Sequence, residues 1–209
     1  MAFFASHFMS ETSNRSELFK RTFQAFGYRD FRLMWTGAFT STTGTWMQSV
    51  AQSWLVLEMM GARSAFFLGL LGFLGDLPIM LFSLWAGALA DNRDRRGVML
   101  AAQVAMLLVS LALAAGAWLG LLAPWSLLAF TFLLGSAAAV NNPAWQASVG
   151  DMVPRALMAR AVMLNGVSFN IARSFGPAIG GAIVAAGGAA AAFAVNAASY
   201  VGLIAALAR

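Results

Sequence analysis

The sequence predicts an all-α membrane protein whose helices cross a bilayer six times. Of 209 residues, 60% are hydrophobic and 10% are charged, and the mean hydropathy is +0.74, far from the balance of a soluble globular domain. Long charge-free runs recur at lengths that suit a hydrocarbon core about 30 Å thick, which takes roughly 20 apolar residues per helical pass. No ten-residue stretches of alternating polarity mark a barrel, so helices are the form in which this backbone satisfies its own hydrogen bonds in lipid.

Residues 1–31 form a basic N-terminal segment ahead of a transmembrane domain at 32–209. Met1–Met9 lacks a basic start and a long apolar run, and no cleavage site precedes the first span, so a removable signal peptide is not expected. Leu18, Phe19, Phe23 and Phe26, interleaved with Arg15, Lys20 and Arg21, fit a short amphipathic stretch on the membrane surface; a basic tail without fixed structure fits equally well.

The charges then set the spans. The first runs from 33 to 57, between Arg32 and Glu58, and the second from 64 to 90, interrupted by Asp76. Residues 97–150 carry no charge and are too many for one pass; Gly120-Leu-Leu-Ala-Pro124 divides them into spans near 97–119 and 126–149. Spans five and six, 158–186 and 189–208, turn at Gly187-Gly188. Arg15, Lys20, Arg21, Arg29 and Arg32, then Arg93, Arg95 and Arg96, then Arg155 and Arg160, and finally Arg209 all fall on one side of such a topology, with Arg63 on the other. The positive-inside rule places that side, and both termini, in the cytoplasm. Topology thereby accounts for the net charge of +5, and a nucleic-acid partner loses its support.

Cysteine is absent and His7 is the single histidine, so no metal centre, haem ligation or serine-hydrolase triad is expected, and neither is a cofactor. No paired catalytic carboxylates or Ser/His pair occupies the spans, which argues against an enzyme. A channel is not indicated either, for want of a ring of like charges or a carbonyl filter.

Polar residues within the spans are uneven. Ser41, Thr45, Gln48 and Gln52 stripe one face of span 1; span 2 carries Asp76; span 4 carries Asn141, Asn142 and Gln146; span 5 carries Asn165, Asn170 and Arg173. Span 3 has little beyond Gln103 and Ser110, and span 6, with Asn196, Ser199 and Tyr200, is intermediate. The expected arrangement puts spans 1, 2, 4 and 5 around a wet interior, with span 3 facing lipid. The span 1 stripe reads equally as cavity lining and as interhelical hydrogen bonding. Asp76 and Arg173 each lie near mid-membrane, where an isolated charge costs roughly 2.5–3.5 kcal/mol on an insertion scale. A shared ion pair or a water-filled cavity would offset this, and the two groups read either as a structural pair or as a proton- or cation-binding carboxylate beside an anion-holding arginine.

The loop Gly87-Ala-Leu-Ala-Asp-Asn-Arg-Asp-Arg-Arg96 resembles the signature loop between helices 2 and 3 of the major facilitator superfamily, Gly-x-Leu-Ala-Asp-Arg-x-Gly-Arg-Arg/Lys, with Asn92 and Asp94 departing from it. Arg29-Asp30-Phe31-Arg32, Trp46-Met47-Gln48, Pro143-Ala144-Trp145-Gln146 and the run from Asn165 to Pro177 are similar to patterns of the bacterial efflux branch that includes the enterobactin exporter. The resemblance covers nearly the whole chain. It implies the N-terminal half of a twelve-helix fold, six helices built as two inverted three-helix repeats, present as a fragment, a truncated product or one part of a split pair whose partner would be a second six-helix half.

It also implies roles. Gly87, Asp91, Arg95 and Arg96 would belong to a cytoplasmic latch, where a carboxylate among guanidiniums forms a reversible contact; an ordinary positive-inside loop is the plainer alternative. Ala172 and the run Gly176-Pro177-x-x-Gly180-Gly181 resemble a helix 5 motif of exporters, although Ala172 stands in place of a glycine. Gly176 and Gly180 allow close helix approach, and Pro177 permits a bend. Gln48, Gln52, Asp76, Asn141, Asn142 and Arg173 would line a central cavity. The implied function is efflux of a small organic molecule across a bacterial inner membrane by alternating access, with protons as coupling ion. The competing expectation is a non-transporting six-helix protein that assembles with another membrane protein.

Overall fold

Glycines at 61, 120 and 188 end or break helices in the computed structural model, which describes residues 23–209, while Pro78, Pro143 and Pro177 lie inside helices. A 3-10 turn, Gln24–Gly27, leads into α1 (Arg29–Met60). A second turn, Gly61–Arg63, joins α1 to α2 (Ser64–Asn92). Then come α3 (Arg95–Trp118), α4 (Pro124–Met152), a third turn at Arg155–Leu157, and α5 (Met158–Leu207). No strand occurs among the described residues. The expected amphipathic stretch around Leu18 and Phe19 lies outside the described residues, except for Phe23 and Phe26.

Four helical stretches are long and apolar enough to cross a membrane: Arg29–Asn92, Arg95–Trp118, Pro124–Met152 and Arg155–Leu207. The first and last have 64 and 53 residues, far more than the roughly 20 that one crossing requires. Each contains an interruption, the first at the Gly61–Arg63 turn and the last at Gly188, whose φ of 74° and ψ of 177° break the helix. A positive φ costs glycine nothing and strains other residues, so Gly188 divides α5 into limbs at 158–187 and 189–207. Gly120 does the same work after α3. With φ at 66° it lets Leu121 N–H reach Gly116 O at 2.9 Å and its own N–H reach Ala117 O at 3.3 Å, the paired bonds of a Schellman cap. Asp94 begins α3 by accepting from the backbone of Arg96 and Gly97. Pro124 starts α4, where a missing N–H is harmless.

Small residues decide which helices meet. α1 packs chiefly on α5, α2 on α4, and α3 on both α4 and α5. A Cβ on Gly180 would stand 2.8 Å from both Cα and O of Met47, and one on Gly176 would stand 2.6 Å from Cβ of Trp46. The 158–187 limb therefore lies against α1 through the GxxxG pair. Gly37 and Gly44 admit the other limb on a neighbouring face of α1, at Leu203 and at Asn196 and Ser199. Gly135 of α4 similarly rests on Gly75 O and Pro78 of α2.

Apolar clusters close both ends of the bundle. Ala51, Val56, Phe67, Leu113, Leu127 and Phe193 gather at one end; Phe31, Met34, Met99, Val149, Ala161 and Leu203 occupy two clusters at the other. Between them lies a polar layer. The outward surface stays apolar, with Leu84 85% and Trp118 81% exposed, as a surface solvated by lipid requires.

The structure changes the expectation for α3. Met99, Ala102, Gln103, Met106, Ser110 and Leu113 form a fully buried stripe, so α3 presents one face to the interior and only the other, with Leu108 and Leu111, outward.

Candidate functional site

A buried amide must find partners in a medium without water, and the span 1 stripe finds them on three neighbours. Gln48 Oε1 accepts from Ser110 Oγ of α3 at 2.7 Å and from Asn196 Nδ2 of α5 at 2.6 Å. Asn196 Nδ2 also donates to Ser110 Oγ and to Tyr200 OH, each at 3.2 Å, and Tyr200 OH meets Thr45 Oγ1 at 3.2 Å. Gln48, Ser110, Asn196 and Tyr200 are buried. Two turns toward the N-terminus of α1, Ser41 donates to Gln103 Oε1 at 3.2 Å, and Gln103 Nε2 donates to Asn141 Oδ1 at 3.2 Å. One turn in the other direction, Gln52 donates to Thr131 Oγ1 of α4 at 3.0 Å. The stripe thus binds α1 to α3, α4 and α5.

The same stripe also borders open space, so the two readings of it are not exclusive. A cavity of about 490 Å³ lies between α1, α2 and α4. Thr45, Trp46, Gln48, Ser49, Gln52 and Ser53 of α1 line one wall, and Gly72, Gly75 and Asp76 of α2 line another. Thr131 and Gly135 come from α4, Met106 from α3 and Tyr200 from α5. Hydroxyls and amides dominate its polar surface, and Asp76 is its one charged lining residue. Gly72 and Gly75 flank the carboxylate on its own helix, and nothing lies within 4 Å of where a Gly72 side chain would begin. The opening beside Asp76 is kept by the absence of side chains there.

Three of the six expected cavity residues, Gln48, Gln52 and Asp76, therefore meet at this cavity. Asn141, Asn142 and Arg173 do not line it. Asn141 is engaged with Gln103 and Asn142 is exposed. Arg173 is exposed on the 158–187 limb and lies over the Trp46 ring, 5.8 Å from its centroid. No salt bridge joins Arg173 to Asp76 among the described residues. The shared ion pair is thus replaced by two separate solutions, an aromatic face for the cation and an open cavity for the carboxylate. The 158–187 limb, expected to line the wet interior, supplies no lining residue to this cavity.

Near the α2–α3 junction the charges are arranged differently from their order in sequence. Arg95 forms a salt bridge with Asp151 Oδ2 at 2.9 Å and also donates to Ala147 O at 3.3 Å, tying α3 to the end of α4. Arg96 Nε donates to Leu207 O, tying α3 to the end of α5. Asp91 is exposed, and Gly87 has open space where a side chain would begin. Asp94, the acid that departs from the family loop, spends its oxygens on the α3 backbone, at 3.3 Å to Arg96 N and 3.0 Å to Gly97 N. In the helix 5 motif, Gly176 and Gly180 are contact points on α1, Ala172 is buried, and Gly181 has nothing within 4 Å. Pro177 sits inside the 158–187 limb, and the break in α5 comes at Gly188 instead.

Sequence reasoning missed Asp151 and Thr131 as partners. Asp151 was legible as the acid that ends the charge-free run 97–150; Thr131 had no signal beyond a hydroxyl inside a span.

Residues 20–209 match the protein family described as transmembrane secretion effector, a major facilitator group. The chain is also similar to the staphyloferrin A transporter of Staphylococcus aureus (strain NCTC 8325 / PS 47), at 30% identity over 155 residues. That stretch is 74% of this chain and 38% of that protein, so the chain spans only part of that relative's length. No solved structure matches the chain.

Proposed function

The chain belongs to the transmembrane secretion effector family, and from that premise we propose that it is the N-terminal, six-pass half of a major facilitator exporter. α1 to α4 each cross once, and the limbs of α5 cross separately about Gly188, with both ends of the half in the cytoplasm of a bacterial inner membrane. Two inverted three-helix units, α1–α3 and α4–α5, make up the half. A second six-helix half completes the protein, and the cargo is a small organic molecule moved outward by alternating access. Asp91, Arg95 and Arg96 form the chain's side of a cytoplasmic latch. The branch that includes the enterobactin exporter is the nearest expected setting.

The observation that carries this reading is Asp76. A carboxylate in the middle of an apolar helix is retained where it has access to water or an ion, and Asp76 opens into a cavity of about 490 Å³ whose polar lining is otherwise hydroxyls and amides. No arginine or lysine lines that cavity to pair with the carboxylate. Asp76 is therefore open to a coupling ion, a proton in this reading, as the cavity faces alternate sides. Arg173, on the exposed face of α5, meets the second half or an anionic part of the cargo.

Everted membrane vesicles containing the complete transporter test this. Staphyloferrin A, named for the relative, is the first cargo to assay. Asp76→Asn should abolish uptake driven by a proton gradient while leaving cargo exchange down its own gradient. Unchanged proton dependence would remove Asp76 from coupling. Absence of transport by any preparation, together with stable co-purification on an unrelated membrane protein, would favour the assembly-partner reading.

A further inference from the structure

A second cavity, of about 660 Å³, lies on the other side of α3. Its floor is made of small residues, Gly97, Ala101 and Ala105 on α3 and Ala137 on α4, with Leu89 and Leu133 along its edges. Arg93 stands at its mouth. The three charges that follow Arg93 in sequence are committed: Arg95 to Asp151, Arg96 to Leu207 O, and Asp94 to the α3 backbone. The Arg93 side chain is exposed and has no hydrogen bond or salt bridge among the described residues.

We propose that this groove holds one phospholipid from the surrounding bilayer, its phosphate on Arg93 and one acyl chain along Gly97, Ala101 and Ala105. The dimensions fit. From Asp94 to Ala105, α3 rises about 16 Å at 1.5 Å per residue, and one leaflet of a 30 Å core is about 15 Å deep. The groove therefore begins at the charged membrane surface and ends near the bilayer middle, the reach of one acyl chain. Its walls are apolar along that length except at Ser136, whose hydroxyl donates to Phe132 O of its own helix, and its single uncommitted charge lies at the depth of a headgroup phosphate. A hydrophobic occupant without phosphate would leave Arg93 unused. A soluble phosphate would leave the apolar floor unfilled.

Native mass spectrometry of the full chain in mild detergent, titrated with dioleoylphosphatidylglycerol or with dioleoylglycerol, tests this. The phospholipid should occupy one site about fivefold more tightly than the phosphate-free lipid, the ratio that one arginine–phosphate contact at a membrane surface provides. Arg93→Gln should erase that difference and Arg93→Lys should keep it. Ala101→Leu with Ala137→Leu should weaken both lipids by filling the groove, whereas Ala178→Leu, on the exposed surface of α5, should not. Equal affinity for the two lipids in the unaltered chain would overturn the proposal. So would an Arg155→Gln control as damaging as Arg93→Gln, or groove-filling variants that bind like Ala178→Leu.

Discussion

Replacing Gln48 by Met removes the acceptor on which two other helices converge while keeping a flexible side chain of similar length. Ser110 Oγ loses a 2.7 Å bond and Asn196 Nδ2 loses a 2.6 Å bond. Interhelical hydrogen bonds in membranes average about 0.6 kcal/mol, so the pair together contributes about 1.2 kcal/mol. Asn196 retains Tyr200 OH at 3.2 Å, and the two donors remain near each other, which keeps the loss below that of two orphaned groups. Equilibrium unfolding of the detergent-solubilised chain reads the effect. Gln48→Met should lose about 1.2 kcal/mol, and Ser110→Ala should then cost less in the Gln48→Met background than alone, with a coupling of about 0.6 kcal/mol. Additivity of the two changes to within about 0.3 kcal/mol would refute the network as a source of stability.

The close approach of α5 to α1 makes Gly180→Leu destabilising by about 1–3 kcal/mol, because its first carbon alone would stand 2.8 Å from Met47 backbone atoms; the same change at Gly181, with nothing within 4 Å, should be tolerated, and equal thermal shifts at the two sites would contradict the packing. The salt bridge between Arg95 and Asp151 joins side chains 37% and 68% exposed, so Asp151→Asn should lower stability by less than about 1 kcal/mol, and that loss should shrink as salt is raised. A larger, salt-independent loss would mean that Asp151 acts through something other than Arg95.

Much of the fold was legible because lipid imposes simple lengths. Charges at Arg32, Glu58, Arg93 and Asp151 bound the apolar runs, and Gly61, Gly120 and Gly188, the glycines that interrupt or end helices, sit where the spacing required interruptions. The helices overrun the expected spans at several ends, α1 reaching from Arg29 to Met60, because a helix continues past hydrocarbon into the headgroup layer. What the sequence could not convey is azimuth. Gln103 and Ser110 were too few to mark a polar face on α3, yet both point inward, since their partners on α1 provide what the rest of α3 lacks. Depth alone paired Asp76 with Arg173, but one faces the cavity beside α1 and α4 and the other lies over Trp46. The family resemblance grouped Asp91 with Arg95 and Arg96, and in the structure both arginines reach to the ends of α4 and α5.

The central claim is that the Asp76 cavity is reached by water, and the chain's lack of cysteine allows a direct test. Single cysteines at Ser49, Gly72 and Asp76, each lining the cavity, should react in membranes with a charged thiosulfonate reagent, and one at Leu84, 85% exposed on the outer surface of α2, should not. Reaction at Ser49 and Asp76 with silence at Leu84 is the predicted result. An Asp76→Cys chain as unreactive as Leu84→Cys would contradict it, because a cavity that water does not enter cannot pass a proton to its carboxylate.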